Sequence, residues 1–294
     1  MDDSLGRPPR QREPRLIGRL VRNRMVVVGG ALVLLMLLGA LLAPVIAPHD
    51  PLLQQTGNRL KPPIWVTGDL GHPLGTDSVG RDVFSRVLYG SRISLPLGVA
   101  AVLISCAIGT CLGLVAGYYG RHLDDLVMRL ADVQLAFPIV LLAISVVAVV
   151  GRSLLALISV LSICGWVVYA RTVRGSVLSV REKEYVGAAR ALGAGNGRII
   201  FRHVLPNSFA PLLIVATVQM ATMIILESGL SFFGLGTQPP TPSWGGMLAE
   251  GRDYLLAGAW WLATFPGLAI STTVLGVNLL GDGLRDVLDP QLRI

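Results

Sequence analysis

Six stretches of this chain are apolar over nearly the length needed to cross a bilayer, and that constrains its fold more than any other feature. They are residues 25–47, 94–117, 133–151, 154–170, 209–226 and 257–280. A helix needs roughly 20 apolar residues to span a hydrocarbon core about 30 Å thick, and its backbone must satisfy its own hydrogen bonds there. The reading is therefore an all-α integral membrane protein with six transmembrane helices. Composition agrees: 52% of residues are hydrophobic, 15% are charged and the mean hydropathy is +0.63, whereas a soluble domain carries about a quarter charged residues. The third and fourth runs are separated only by Arg152 and Ser153, which predicts a tight helical hairpin.

The first run also resembles a signal peptide, with arginines before it and small residues at 43–47. Its apolar stretch is too long for that role, whose core is roughly 7–15 residues, so an uncleaved first span is the preferred reading. The net charge of +7 does not argue for nucleic acid, because the arginines sit in short loops between spans. Eighteen Lys and Arg fall in segments 1–24, 118–132, 171–208 and 281–294, against seven in the alternate segments. The positive-inside rule then predicts both termini in the cytoplasm. The predicted layout is a cytoplasmic tail (1–24), a peripheral first helix (25–47), an extracytoplasmic segment (48–93), a permease core (94–281) with a cytoplasmic loop (171–208), and a cytoplasmic tail (282–294). The Pro/Arg-rich start, RPPRQREPR, reads as a solvated, topology-setting tail. Toward the end of the extracytoplasmic segment, Val83, Val87, Leu88 and Tyr89 suggest a short amphipathic helix at the interface. Cys106, Cys111 and Cys164 all lie inside apolar runs and read as small buried hydrophobes.

One polar segment interrupts these runs with signs of local order. Residues 179–182 read SVRE, the pattern of a capping box, which predicts a helix starting at Val180. That helix would place Tyr185, Ala188, Ala189 and Leu192 on one face, with Lys183, Glu184 and Arg190 elsewhere around it. Gly193 supplies a left-handed stop. Asn196 is a plausible cap for a second helix through RIIFRHVL, and Pro206 would end that helix or mark the re-entry into the bilayer. The alanines leave room for another surface to approach closely. In the spans, Pro138 and Pro266 interrupt the third and sixth runs and are candidates for helix bends that line a pathway.

No phosphate-cradling G-x-x-x-x-G-K-[ST] is present, nor a His-Glu-x-x-His, a Gly-x-Ser-x-Gly or a carboxylate cluster. No catalytic, cofactor or metal residue is assigned. His49, His72, His122 and His203 are scattered over loops, where surface histidine is the ordinary case. Ion-coupled transporters keep ionisable groups inside their spans. Here the best candidate is Glu227, at the end of the fifth run, and a helix-end carboxylate facing the interface explains it as well as a proton relay does. A transporter without a visible energy source should borrow one from another protein, and the helical loop is the place to receive it.

That loop resembles the EAA loop of ABC importer permeases, Glu-Ala-Ala-x3-Gly-x9-Ile-x-Leu-Pro. Gly187, Ala188, Ala189, Gly193, Leu205 and Pro206 occupy the pattern with its full spacing. Gly187 stands where the family name has glutamate, and His203 where it has isoleucine. The string YVGAARALG…RIIFRHVLPN is similar to the dipeptide/oligopeptide/nickel branch, in which RH-x-LPN is usual. HPLGTDSVGRDVFSRVLYGSRISL, ESGLSFFGLGTQPPTPSWGGML and GDGLRDVLDPQLR resemble that branch's C-type subunit, the DppC/OppC type, in order along nearly the whole chain. The resemblance implies a type I importer permease with no enzymatic activity of its own. Its partners would be a homologous B-type permease, two cytoplasmic ATPase subunits carrying ATP and Mg, and an extracytoplasmic substrate-binding protein, all at a lipid bilayer. The coupling residues it implies are Glu184, Tyr185, Gly187, Ala188, Ala189, Arg190, Leu192, Gly193, His203, Leu205 and Pro206. Small peptides are the implied cargo, with nickel chelates or glutathione as alternatives. A secondary transporter and a non-transporting scaffold are the rival classes.

Overall fold

The computed structural model describes residues 16–68 and 70–288. The Pro/Arg-rich start and the last residues of the C-terminal motif lie outside them. Among the described residues the chain is helical with no strand: α1 Leu16–Arg22, α2 Arg24–Ile46, α3 Ile64–Thr67, α4 Val83–Tyr119, α5 Arg121–Ala136, α6 Ile139–Val150, α7 Leu154–Arg181, α8 Glu184–Ala191, α9 Asn196–Ile199, α10 Leu205–Phe232, α11 Trp244–Arg252 and α12 Trp261–Leu288. Five helices are long and apolar enough to cross a membrane, six if one bent pair counts as a span. Residues 47–82 and 233–260 gather at one end of the bundle, here the cap end. Residues 182–204 lie at the other, the loop end.

The core is the pairing of α4 with α7. Gly109, Gly113 and Gly117 recur every fourth residue, so they share one face of α4. A Cβ on Gly109 would lie 2.4 Å from the Trp166 carbonyl oxygen, and one on Gly113 would lie 2.5 Å from that of Ala170. Small residues therefore let the two backbones touch, which is how helices associate where hydrophobic burial gives little drive. Around this pair, Leu157, Leu161, Tyr169, Val173 and Val177 of α7 are buried together with Met223 and Leu230 of α10. The α2 helix is a different case. It buries only Gly29, Ala40 and Ala43, packing Gly29 against the α12 backbone at Leu280 and leaving its leucines exposed. Its closest backbone approach is to α12, through small residues, and Ala40 packs in one cluster with Leu95, Ile224 and Trp244.

Several helices depart from the expected bounds. The third run does not make one straight span: α5 and α6 meet at 97°, with Pro138 as the residue before α6. The physical cause lies in the proline ring, which excludes helical geometry at the residue before it; Phe137 is extended, with ψ 136°. Pro266 acts otherwise. It sits in the second turn of α12, buried, and the helix runs through it unbroken. The expected separate amphipathic helix at 83–89 is the first two turns of α4, capped by the Asp82 side chain on Ser85 N–H.

Candidate coupling site

The segment singled out from the sequence hangs from the end of α7. At 28 residues α7 is about 42 Å long, more than a hydrocarbon core requires, and its second half carries Arg171, Arg174 and Arg181. The capping-box expectation is corrected here. Ser179 lies inside α7, Glu182 follows its last residue, and the next helix starts at Glu184 with Lys183 before it and no side-chain cap. Continuous α7 wins because Val173, Val177 and Val180 already bury one stripe against α4 and its neighbours, and ending the helix earlier would expose it.

The stop at Gly193 is as expected. Its φ is +82°, Ala194 N–H donates to Ala189 C=O and Gly193 N–H to Arg190 C=O, both at 3.0 Å. That pair of bonds is the Schellman arrangement, which needs a left-handed residue after the helix. Asn196 as a cap and Pro206 as a helix end are not what the structure shows. Asn196 is the first residue of α9 rather than its cap, and its Oδ1 accepts from Tyr118 Oη–H at 2.9 Å. Pro206 does not end the helix. Instead 196–232 is one helical span with a π turn at Ile200–Val204, closed by Leu205 N–H on Ile200 C=O. A proline in mid-helix has no N–H to give and its ring crowds the carbonyl four residues back. The wider π turn relieves that crowding, and Asn207 Nδ2 takes up the His203 carbonyl.

One side chain anchors α8. Val186 is fully buried, in the same cluster as Val180, Ile199 and Val204. Arg181 Nη1 donates to Gly117 C=O at 3.0 Å, tying the exit of α7 to the end of α4. Tyr185 lies 5.9 Å from the His203 ring, and its Oη accepts from Asn207 Nδ2 at 3.4 Å. Glu184, Gly187, Ala188, Arg190 and Leu192 are exposed and Ala189 half-buried, with Leu192 88% exposed and Tyr185 43%. Leu205 is half-buried and Pro206 exposed at the root of α10. The structure thus brings the sequence-predicted residues together on one fixed, outward-facing helix pair. Val186, Tyr118, Arg181 and Asn207 were missed by sequence reasoning. Only Val186 carried a local signal, as the single β-branched residue of α8, about 100° around the helix from Tyr185.

The cap end is organised by charge. Arg81 Nε donates to Asp77 Oδ2 at 2.5 Å and Arg81 Nη2 to Glu250 Oε2 at 3.0 Å. Arg86 donates to Asp77 and to Glu250. Asp77, Arg81 and Arg86 are buried. Burial pushes the Asp77 carboxyl up, but the Arg86 guanidinium, the Arg81 and Val79 N–H groups and the Arg81 charge together hold it below the usual carboxylate range. Two acids and two bases from the loop before α4, from α4 and from α11 make a neutral clamp. Trp244 completes it, its Nε1–H donating to Val87 C=O at 2.9 Å.

Glu227 requires a correction. It is fully buried in α10, not at an interface, and Ser231 Oγ donates to its Oε1 at 2.8 Å. Ser228 and Ser94 are its further partners. The surrounding serines are hydrogen-bond donors, and they join α10 to α4. The histidines also differ from expectation: His72 is buried and stacks on His49.

The long small-residue-packed spans and the projecting helix pair define a multi-pass membrane permease. Residues 109–294 match the family described as binding-protein-dependent transport system inner membrane component. Residues 15–63 match the N-terminal TM domain of oligopeptide transport permease C. The chain belongs to that inner membrane component family, and it is a multi-pass inner membrane protein. It is 43% identical to the dipeptide transport system permease protein DppC of Alkalihalophilus pseudofirmus, over 94% of this chain and 88% of the relative. It is 45% identical to the di/tripeptide transport system permease protein DppC of Pseudomonas aeruginosa, over 92% and 89%. The glutathione transport system permease protein GsiD of Pectobacterium atrosepticum is 43% identical over 94% and 90%. In fold the chain is similar to the inward-facing MetNI methionine ABC transporter, with TM-score 0.55 and 21% identity over 69% of this chain and 96% of that one.

Proposed function

We propose that this chain is the transmembrane subunit of an ATP-driven importer for small peptides, forming half of the pathway with a homologous B-type permease. Both termini and α8 face the cytoplasm, and the cap end faces outward to receive substrate from a binding protein. Two separate ATPase subunits carry ATP and Mg, so hydrolysis belongs to them and not to this chain. The observation that carries this reading is the pairing of exposure with rigidity in α8. Tyr185, Ala188 and Leu192 face solvent while Val186 fastens the helix into the bundle core. A docking helix must do both, since force applied to a loose loop would be absorbed before it reached the spans. Closure of the ATPase pair would pull α8 and, through Val186 and the Arg181–Gly117 bond, the ends of α4, α7 and α10. Pro138, at the bend between α5 and α6, offers a place for that movement to be taken up; Pro266 lies in a helix without a break.

Reconstitution with the candidate ATPases, B-type permease and binding protein tests this. Uptake of di- and tripeptides should depend on ATP and fall at least tenfold in Leu192→Asp, while the protein folds and inserts as before. Uptake without ATP would overturn the reading in favour of an ion-coupled carrier, and partner binding without flux would indicate a scaffold. A panel including glutathione and a nickel chelate assigns the cargo, to which the peptide reading commits in advance.

A further inference from the structure

Three side chains at the cap end, far apart in sequence, converge where neither the charge clamp nor α8 uses them. His49 follows α2, His72 lies in the segment before α4, and Asp82 is the residue before α4. The nitrogen and oxygen ligand atoms of the three lie within 4.8 Å of one another. His72 and Asp82 are buried. Asp82 splits its oxygens: Oδ2 accepts from Ser85 N–H and Oγ–H, which leaves Oδ1 facing His72 Nδ1 at 3.1 Å. The His49 and His72 rings stack with centroids 4.6 Å apart and planes 28° from parallel.

A plain histidine–aspartate hydrogen bond accounts for His72 and Asp82, but not for His49. The His49 backbone N–H is fixed on Ser85 Oγ at 3.2 Å, whereas its buried Nδ1 has no hydrogen-bond partner among the described residues. Buried polar nitrogens are rarely left so, and one that is calls for an explanation. A cation supplies it. We propose that His49, His72 and Asp82 form a binding site for a divalent zinc-class metal ion, which fastens the exit of α2 to the first turn of α4. Two imidazoles and a carboxylate are a zinc donor set, and metal–donor lengths of about 2.0–2.2 Å in a tetrahedron place donors about 3.4 Å apart. The His72–Asp82 pair is already near that spacing. Among the described residues no hydrogen bond holds the His49 ring, so a turn about its side-chain torsions would bring its nitrogen the remaining distance. An open recess of 820 Å³ lined by His49, Asp50, Tyr89 and Arg92 gives an entry path and room for a water as fourth ligand. The ion would add a further tie between the exit of α2 and the first turn of α4.

The experiment uses the full-length chain without a histidine tag, in nanodiscs, stripped with a chelator, desalted and reloaded with zinc. One tightly held zinc per chain is expected by elemental analysis, with at least tenfold weaker binding in His49→Ala and His72→Ala. His122→Ala, in α5, should bind as the parent does. Zinc should raise the melting temperature of the parent and not that of His49→Ala, whose side chain makes no hydrogen bond and whose loss should leave the fold intact. Cobalt loading should give visible absorption bands in the parent that both variants lose. Absence of bound zinc in the parent, or binding unchanged in His49→Ala, would overturn the site.

Discussion

The two ends of the bundle hold their helices in opposite ways. At the cap end, the buried Asp77, Arg81 and Arg86 and the half-buried Glu250 join three separate elements through mutually neutralising charges. At the loop end, α8 is held by one fully buried valine and a few hydrogen bonds, and its remaining surface is open. Charges taken out of water stay put only when each has its partner, so the cap end is rigid and intolerant of change. A helix pair fixed by a few buried side chains, Val186 and Ile199 among them, is stiff enough to transmit a push, and free enough to present a surface. The contrast teaches that the cap end is built as a fixed frame, and the loop end as a handle.

The largest effect should come from breaking the frame. Arg86→Leu leaves Asp77 and Glu250 short of a partner. The expected cost is about 3–5 kcal/mol, read as a lowered melting temperature in detergent or as loss of folded protein. If Arg86→Leu is tolerated without loss, the cap end is no frame and the contrast falls.

Smaller losses are expected at the handle. Gly193→Val forces a β-branched residue to φ +82°, a strain of about 1–3 kcal/mol. The melt of the whole protein should shift little, because the strain is relieved by fraying of α8 alone. ATP-driven uptake should nevertheless drop sharply, and full uptake would refute the role given to this turn. Val186→Ala removes two methyl groups from the anchor, about 1.5 kcal/mol. Hydrogen exchange in α8 should then speed up while α4 and α7 stay protected.

The smallest expected effect comes from acid. Asp77 is held below its unfolded value of about 3.9. Its contribution is therefore fully present above that pH and is lost as pH falls through the lower folded value. Melting temperature should hold from neutral pH to about 5 and decline only below about 4, and Asp77→Asn should flatten that decline. A decline already complete at pH 5 would show that other groups dominate.

Much of this architecture is legible locally. Apolar runs of bilayer length mark the spans. Gly193 announces its left-handed turn because few other residues reach that conformation cheaply, and the family pattern places the helix pair between spans. The errors at the ends of helices follow a pattern. Ser179 and Glu182 make a good local cap, yet the buried stripe Val173–Val177–Val180 keeps α7 going past them. Asn196 and Pro206 are likewise good local stop and start signals, yet the helix continues by widening into a π turn. At α7, packing of that stripe against α4 outweighed a capping preference of about 1 kcal/mol.

What the sequence determined by itself was the class of molecule: an all-helical chain of membrane spans, where the polar helix pair falls, which glycine turns it, and to which family the pattern belongs. These follow from composition, periodicity and spacing, which act over one or two turns of chain. Only the tertiary structure decided that α5 and α6 meet at 97°, that Glu227 faces serines inside the protein, that Val186 is the anchor, and that His49 and His72 stack beside Asp82. Those outcomes depend on which residues meet across long separations in the chain. The physical reason is that burial and hydrogen bonding reward contacts in space, and nothing in a local pattern records who the partner will be.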